Sequence, residues 1–247
     1  MIGFVVGVFA IAGMIKGTIG LGLPAVSMGL LSLVISPFQA ATLLIIPSMV
    51  TNIWQLFAEG YVWRLVCRFY LLLIGIVVGS IWSIFPTLGH ASGHFQSEAL
   101  LGAMLALYGL YGLFSKNMPN LATHEKWLSP IIGYLGGALT VATGVVVIPV
   151  VPYLQSLHLK RDDLVQSLGL AFTVSTICLA VFLYLNPVEN TPIDYKLSLI
   201  ALIPALIGMW MGTKIRYRIP EQKFRKVFFC GLVIFGMYAV LHQLRVI

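Results

Sequence analysis

Lys16-Gly17-Thr18-Ile19-Gly20-Leu21-Gly22-Leu23-Pro24 sets three glycines, a proline and a lysine inside an apolar run that extends from Met1 to Ile35. Glycine and proline are poor members of a helix interior. In hydrocarbon, unwound backbone is tolerated only where protein or a water-filled cavity satisfies it. A lysine at such a place is rare and costly, so it reads by default as functional. The stretch therefore predicts a broken helix at membrane depth, with an ionic group beside the break.

Composition sets the frame. Of the 247 residues, 59% are hydrophobic and only 9% are charged, whereas a soluble domain carries about 25% charged residues. Mean hydropathy is +0.97. Apolar segments fall at 1–35, 38–57, 65–85, 99–114, 128–157, 164–185, 197–213 and 224–241. Most approach or exceed the roughly 18–20 residues needed to span a bilayer. The chain is a polytopic membrane protein by this reading, and its first run is a retained segment, not a cleaved signal. Cys67, Cys178 and Cys230 lie far apart and suggest neither a disulfide framework nor a metal site. The net charge of +7 is not a nucleic-acid signature, because the Lys and Arg residues concentrate in short loops between apolar segments.

The first and fifth segments are too long for one ordinary span and too short for two. They also resemble each other. Gly13, Gly17, Gly20 and Gly22 align with Gly133, Gly137, Thr140 and Ala142 at a constant offset of 120 positions. An internal duplication is expected, with residues 1–118 as the first repeat and 119–247 as the second. Loop charges then set orientation. Arg64 and Arg68, Lys116 and Lys126, Lys160 and Arg161, and the series Lys214, Arg216, Arg218, Lys223, Arg225 and Lys226 mark cytoplasmic ends. Both flanks of the fifth segment then face the same side. This predicts an all-α integral membrane fold of two inverted repeats, each a broken, re-entrant helical hairpin followed by three transmembrane helices. A fifth segment that crossed once, tilted, would instead make the halves parallel.

Two hairpins that meet from opposite faces bring their broken ends together. A helix N-terminus offers unpaired N–H groups and about half a positive charge, so it binds anions. Gly20 and Gly22 suit a ligand-facing break, and Pro24 suits the first turn of the helix that follows. Thr140, Thr143 and Gly144 are the equivalents in the second half. Gly13-x-x-x-Gly17 and Gly133-x-x-x-Gly137 fit close helix packing better. Lys16 supplies a full charge where the dipoles favour an anion, and its alternative role is snorkelling to the interface. Ser48, Thr51, Asn52 and Gln55 share one helix face and line a polar path or bond to a neighbouring helix. Gln166, Thr173 and Thr176 echo them, and Pro47 should kink the second segment. No embedded acidic residue is evident. His90, His94 and Glu98 are spaced for a shared metal if helical, but read better as a solvated outer loop.

Lys16-Gly17-x-x-Gly20-x-Gly22-x-Pro24, followed by Pro47-x-x-x-x-Asn52-x-x-Gln55, resembles the first-half signature of the sulfite exporter TauE/SafE family of bacterial membrane permeases. Thr143-Gly144 through Pro149, Pro152, Tyr153 and Leu154, then Gln166-x-Leu168-Gly169, is similar to the matching half. The commoner family form has consecutive glycines where Gly22-Leu23-Pro24 and Ala142-Thr143-Gly144 stand here. The resemblance implies movement of small sulfur-containing anions, such as sulfite, sulfonates or sulfoacetate, across the bacterial inner membrane.

Together these readings predict a secondary transporter working by alternating access, and not an enzyme. The anion would be held by Lys16, Gly17, Thr18, Gly20, Gly22 and Pro24, with Thr140, Thr143 and Gly144. Asn52, Gln55 and Gln166 would line its path. The expected partners are the anion, the bilayer and a coupling proton or ion, with a homo-oligomer admitted and no nucleic acid. No cofactor and no metal are expected. The rival reading is an anion-selective channel, or a permease for another small anion.

Overall fold

The computed structural model describes residues 1–57, 62–88, 94–114, 119–187, 195–216 and 221–245. His90, Lys116 and Arg218 lie outside these residues, as do the side chains of His94, Glu98, Lys223 and Arg225. The suggested histidine pair therefore has no structural account. Every regular element among the described residues is helical, as hydrocarbon requires of any chain that is not a closed barrel. In order these are α1 (Ile2–Ile19), α2 (Leu23–Leu31), α3 (Pro37–Leu56), α4 (Val62–Ile81), α5 (His94–Phe114), α6 (Glu125–Thr143), α7 (Val147–Ser156), α8 (Arg161–Leu185), α9 (Tyr195–Arg216) and α10 (Glu221–Arg245). A 3-10 turn at Ala122–His124 leads into α6.

Ile2–Ile19, Val62–Ile81, Asp162–Leu185 and Tyr195–Ile215 are long and apolar enough to cross a membrane. The chain is thus a multi-pass membrane protein. Helices α3 and α6 match these spans in length but spend part of their surface on buried polar groups. Ser48, Thr51, Asn52 and Gln55 face inward from α3, and Ser129, Thr140 and Thr143 from α6.

The two long segments are broken, as their glycines and proline predict. Gly20 ends α1 with φ 83°, and Gly22 precedes α2 with φ 104°. Both angles suit glycine because it has no Cβ to clash. Pro24 then lies in the first turn of α2, where its missing N–H costs nothing. In the second half the break falls at Gly144, with φ 75°, and not at Thr140, where the offset of 120 would put it. The reason is local. Thr140 is β-branched and continues the helix, so α6 runs one turn further, to the first residue able to reverse the chain.

Each break turns the chain back on itself. The Tyr153 hydroxyl of α7 meets Ser129 Oγ at 2.7 Å and donates to the Glu125 carbonyl at 3.2 Å, so α7 returns to the start of α6. Added methyl groups at Gly22 and Gly29 would meet the rings of Phe228 and Phe235 at 3.0 Å, so α2 runs parallel to α10.

The two halves interlock through reciprocal pairs. Helix α1 packs on α9 and α6 on α4, each running parallel to its partner. A methyl at Gly13 would lie 2.2 Å from the Ala205 carbonyl oxygen, and one at Gly137 would lie 2.0 Å from that of Ile76. This is the small-residue packing that lets membrane helices bring their backbones together. Helix α3 crosses α8 at the centre, and α5 pairs with α10 at the side. Exchanging α1–α5 for α6–α10 leaves this set of principal pairs unchanged.

One end of the bundle collects the basic groups. Arg68 makes two bonds to Glu125, at 2.9 and 2.8 Å, and Arg64 reaches Asp163 at 3.8 Å. These contacts place the starts of α4, α6 and α8 together. Gln55 near the end of α3 bonds to Gly20 and Val165, and Thr18 donates to the Gly212 carbonyl at 3.2 Å. The ends of α1, α3 and α9 therefore reach the same end. Exposed Trp63, Trp127 and Trp210 lie toward it, as interfacial tryptophans do.

Candidate functional site

Pro24, just after the α1–α2 break, and Gly144, at the α6–α7 break, line one space between α3 and α8, while Gly20 itself accepts from Gln55 near the end of α3. Met28 of α2 lies against Gly144, whose added methyl would stand 2.8 Å from the Met28 Cε. Between them is a small cavity of about 20 Å³, lined by Pro24, Ser48, Thr140, Gly144, Ser175 and Thr176, with Leu44, Phe172 and Leu179 on its apolar side. That is room for about one water molecule.

Hydrogen bonding in this cavity is unevenly satisfied. Thr140, Ser175 and Thr176 donate back along their own helices to the carbonyls of Gly136, Ala171 and Phe172, at 2.7, 2.8 and 2.7 Å. Their oxygens keep lone pairs, but their protons are engaged. The Ser48 Oγ is buried without a partner. It has a proton free to donate to an anion, and a buried hydroxyl without a partner costs about 1–3 kcal/mol.

Lys16 is only 2% exposed, near the end of α1. Its Nζ donates to Thr51 Oγ1 at 3.0 Å and to Asn52 Oδ1 in a short bond. Asn52 Nδ2 in turn donates to Thr176 Oγ1 at 3.2 Å. The ammonium thus does not line the cavity but connects to its wall through one amide. Its two described acceptors are neutral. The ion pairs found among the described residues, Arg64–Asp163 and Arg68–Glu125, both lie at the basic end and not beside it. Two hydrogen bonds to a charged donor contribute about 1.5–3 kcal/mol each, less than the desolvation of a buried ion demands without a counter-charge. The arrangement is electrostatically incomplete, and an anion would complete it.

The remaining expected residues sort into two kinds. Gly17 packs on α9, where a methyl would meet the Met209 carbonyl oxygen at 2.1 Å. Thr18 donates at 2.8 Å to Met14 and at 3.2 Å to Gly212, which fastens α1 to α9. Thr143 donates to Leu139 at 2.7 Å and accepts from the Val145 N–H at 3.3 Å, which holds the second break. Gln55 Nε2 donates to Gly20 and Val165 at 3.2 and 2.9 Å, leaving its Oε1 buried and unpaired. Gln166 Nε2 donates to the Leu56 carbonyl at 3.0 Å. These two amides join the end of α3 to the start of α8, about two turns from the cavity.

Ser175 also faces the cavity, although nothing local in the sequence marks it. It becomes visible once the offset between halves is taken as 124, the separation of Gly20 and Gly144. Thr51 then pairs with Ser175, and Asn52 with Thr176.

The profile of the family described as sulfite exporter TauE/SafE covers residues 5–239. No curated protein and no solved structure matches the chain.

Proposed function

The chain belongs to the sulfite exporter TauE/SafE family of membrane permeases, and on that footing we propose that it is a secondary transporter of a small sulfur-containing anion in the bacterial inner membrane. The observation that carries the reading is Lys16: a buried cation with neutral acceptors, linked through Asn52 and Thr176 to a small cavity that Pro24 and Gly144 line. An anion in that cavity would meet the free Ser48 hydroxyl and the N-terminal end of α2, and its charge would balance the ammonium. Pro24, Thr140 and Gly144 line the same space. Gly20 and Gly22 shape the turn, while Gln55 and Gln166 lie along the route toward the basic end.

The transport cycle we assign is alternating access, with a coupling proton or ion. Residues 1–118 and 119–247 act as inverted repeats. The opposed directions of α3 and α8, whose contacts run from Leu56–Gln166 to Asn52–Thr176, support that division. So does the reversal between α1, which ends at the basic end, and α6, which begins there. In such a cycle the two repeats rock against each other around the site, which opens the small cavity to the anion.

Purified protein in liposomes, supplied with labelled sulfite, sulfoacetate or taurine with and without a pH gradient, tests this directly. Saturable flux with counterflow is expected, and Lys16→Met should reduce it at least tenfold. Flux without counterflow would make the protein a channel. Flux unaffected by replacing Lys16 and Asn52 together would remove the site.

A further inference from the structure

A second cavity lies on the other side of the α1–α2 break, and its chemistry is the reverse of the first. It has a volume of about 690 Å³ and is walled by α1, α2 and α10, with Ile15, Val26, Leu30, Phe228, Leu232 and Phe235 among its lining residues. Apart from Tyr238, every side chain facing it is a hydrocarbon, a thioether or a ring. Gly231 stands on its α10 wall, where an added methyl would meet nothing within 4 Å. Ligand pockets commonly measure about 300–1,000 Å³, so this groove is a container and not a packing defect.

Its direction can be read from the contacts. Gly22 sits against Phe228 and Gly29 against Phe235, so the groove follows α2 and α10 side by side. From Phe228 to Tyr238 it extends about 15 Å at the helical rise of about 1.5 Å per residue. One end lies at the basic end of the bundle, because α10 begins where α9 finishes. There the exposed Lys226 stands two residues before Phe228, and Lys214 is exposed at the end of α9. The opposite end carries exposed Leu33 and Tyr238, and no cation stands there among the described side chains of the groove walls α1, α2 and α10; Lys196 lies at that end of the bundle on α9, outside the groove.

An apolar slot of acyl-chain length, capped by cations at headgroup level, matches one molecule. We infer that the groove between α1, α2 and α10 binds an anionic phospholipid, with one acyl chain along Phe228–Tyr238 and its phosphate toward Lys226 and Lys214. Charge complementarity at a single end selects a lipid over a second copy of this chain, which carries the same net positive charge. Basic residues at the cytoplasmic surface select anionic headgroups in this way. The groove floor includes Ile15, next to Lys16, and touches the turn at Gly22. A bound chain would therefore buttress the broken hairpin from its lipid side.

Native mass spectrometry of the delipidated full-length protein, titrated with phosphatidylglycerol, phosphatidylcholine and glycerol 3-phosphate, tests the assignment. Phosphatidylglycerol should bind at least tenfold more tightly than phosphatidylcholine, and glycerol 3-phosphate should not bind. Lys214→Gln with Lys226→Gln should bring the two lipids to within about threefold, since each lysine near the surface contributes about fivefold. Gly231→Trp, which fills the groove, should abolish retention of both. Equal affinity for the two lipids would overturn the proposal, as would saturable binding of glycerol 3-phosphate. So would undiminished lipid binding by folded Gly231→Trp, or a lipid-free dimer that this substitution dissociates. If Gly231→Trp fails to fold, the lysine pair decides the matter alone.

Discussion

Asn52 Nδ2 donates to Thr176 Oγ1 at 3.2 Å, and the two residues stand at corresponding positions of the two halves. Their separation of 124 is also the separation of Gly20 and Gly144, the glycines that end α1 and α6. The central contact thus joins residues at the same offset as the two breaks, as the proposed two-fold relation between repeats requires. The symmetry is broken one step away. Asn52 Oδ1 accepts from Lys16, whereas the position 124 residues further on is Thr140, whose hydroxyl donates back to the Gly136 carbonyl at 2.7 Å. One half brings a charge to the centre and the other brings a hydroxyl.

Lys16→Met should therefore separate stability from transport. Removing a buried ion that lacks a counter-charge relieves its desolvation but leaves the buried Asn52 Oδ1 without its donor, at about 1–3 kcal/mol, so stability is expected to change little. Flux in liposomes should fall at least tenfold in the same variant. Thermal melting and labelled-sulfite uptake measured on one preparation check both. A variant that melts markedly lower while transporting normally would make Lys16 a structural residue.

Asn52→Leu removes the link between Lys16 and the cavity wall. The ammonium loses its amide acceptor and Thr176 loses a donor, so a destabilisation of about 1–3 kcal/mol is expected. Thr176→Val removes the same link from its other side. In a double-mutant cycle read by denaturation, the pair should show a coupling of about 0.5 kcal/mol or more, as residues in one network do. Additive effects would mean that the bond carries no energy.

Much of this was legible in the residues. The broken hairpins were readable because Gly20, Gly22 and Pro24 can do few other things inside an apolar run. The helical packing of Gly13 and Gly17 was readable from spacing alone. The position of the second break was bracketed and not fixed: Thr140, Thr143 and Gly144 stand together as candidates, and the offset of 120 aligns Gly20 with Thr140. A β-branched residue continues a helix when the tertiary contacts support one, and only Gly144 could turn the chain. The site was half legible. Lys16, Asn52 and Pro24 declared themselves by chemistry, but hydroxyls are common in membrane helices, and nothing local marks Ser48 and Ser175 as facing one cavity. Gln55 and Gln166 announced polarity correctly without revealing that their amides bond to backbone carbonyls.

Gly137→Leu should cost more than any surface substitution. Its Cβ would lie 2.0 Å from the Ile76 carbonyl oxygen, and neither backbone can move without parting α6 from α4. Overpacking of this kind costs about 1–3 kcal/mol, and more where backbone is the obstacle. Gly3→Leu, where a methyl meets nothing within 4 Å, is the control. Melting in detergent should drop clearly for the first and stay level for the second.

The orientation argument yields a test that needs no transport assay. The contacts of Arg68 with Glu125 and of Arg64 with Asp163 gather the starts of α4, α6 and α8 at one end, while α3 begins at the other. Cysteines placed at Lys126 and Lys160, with Cys67, Cys178 and Cys230 replaced by serine, should therefore react with an impermeant maleimide from the same side. Basic residues collect on the cytoplasmic face, so that side should be the interior. Exposed Val34, between α2 and α3, should react only from the outside after Val34→Cys. Labelling of positions 126 and 160 from opposite sides would mean that residues 128–157 cross the bilayer once. The two breaks would then lie on one axis and could not face each other, and the cavity between Pro24 and Gly144 would lose its place in the cycle.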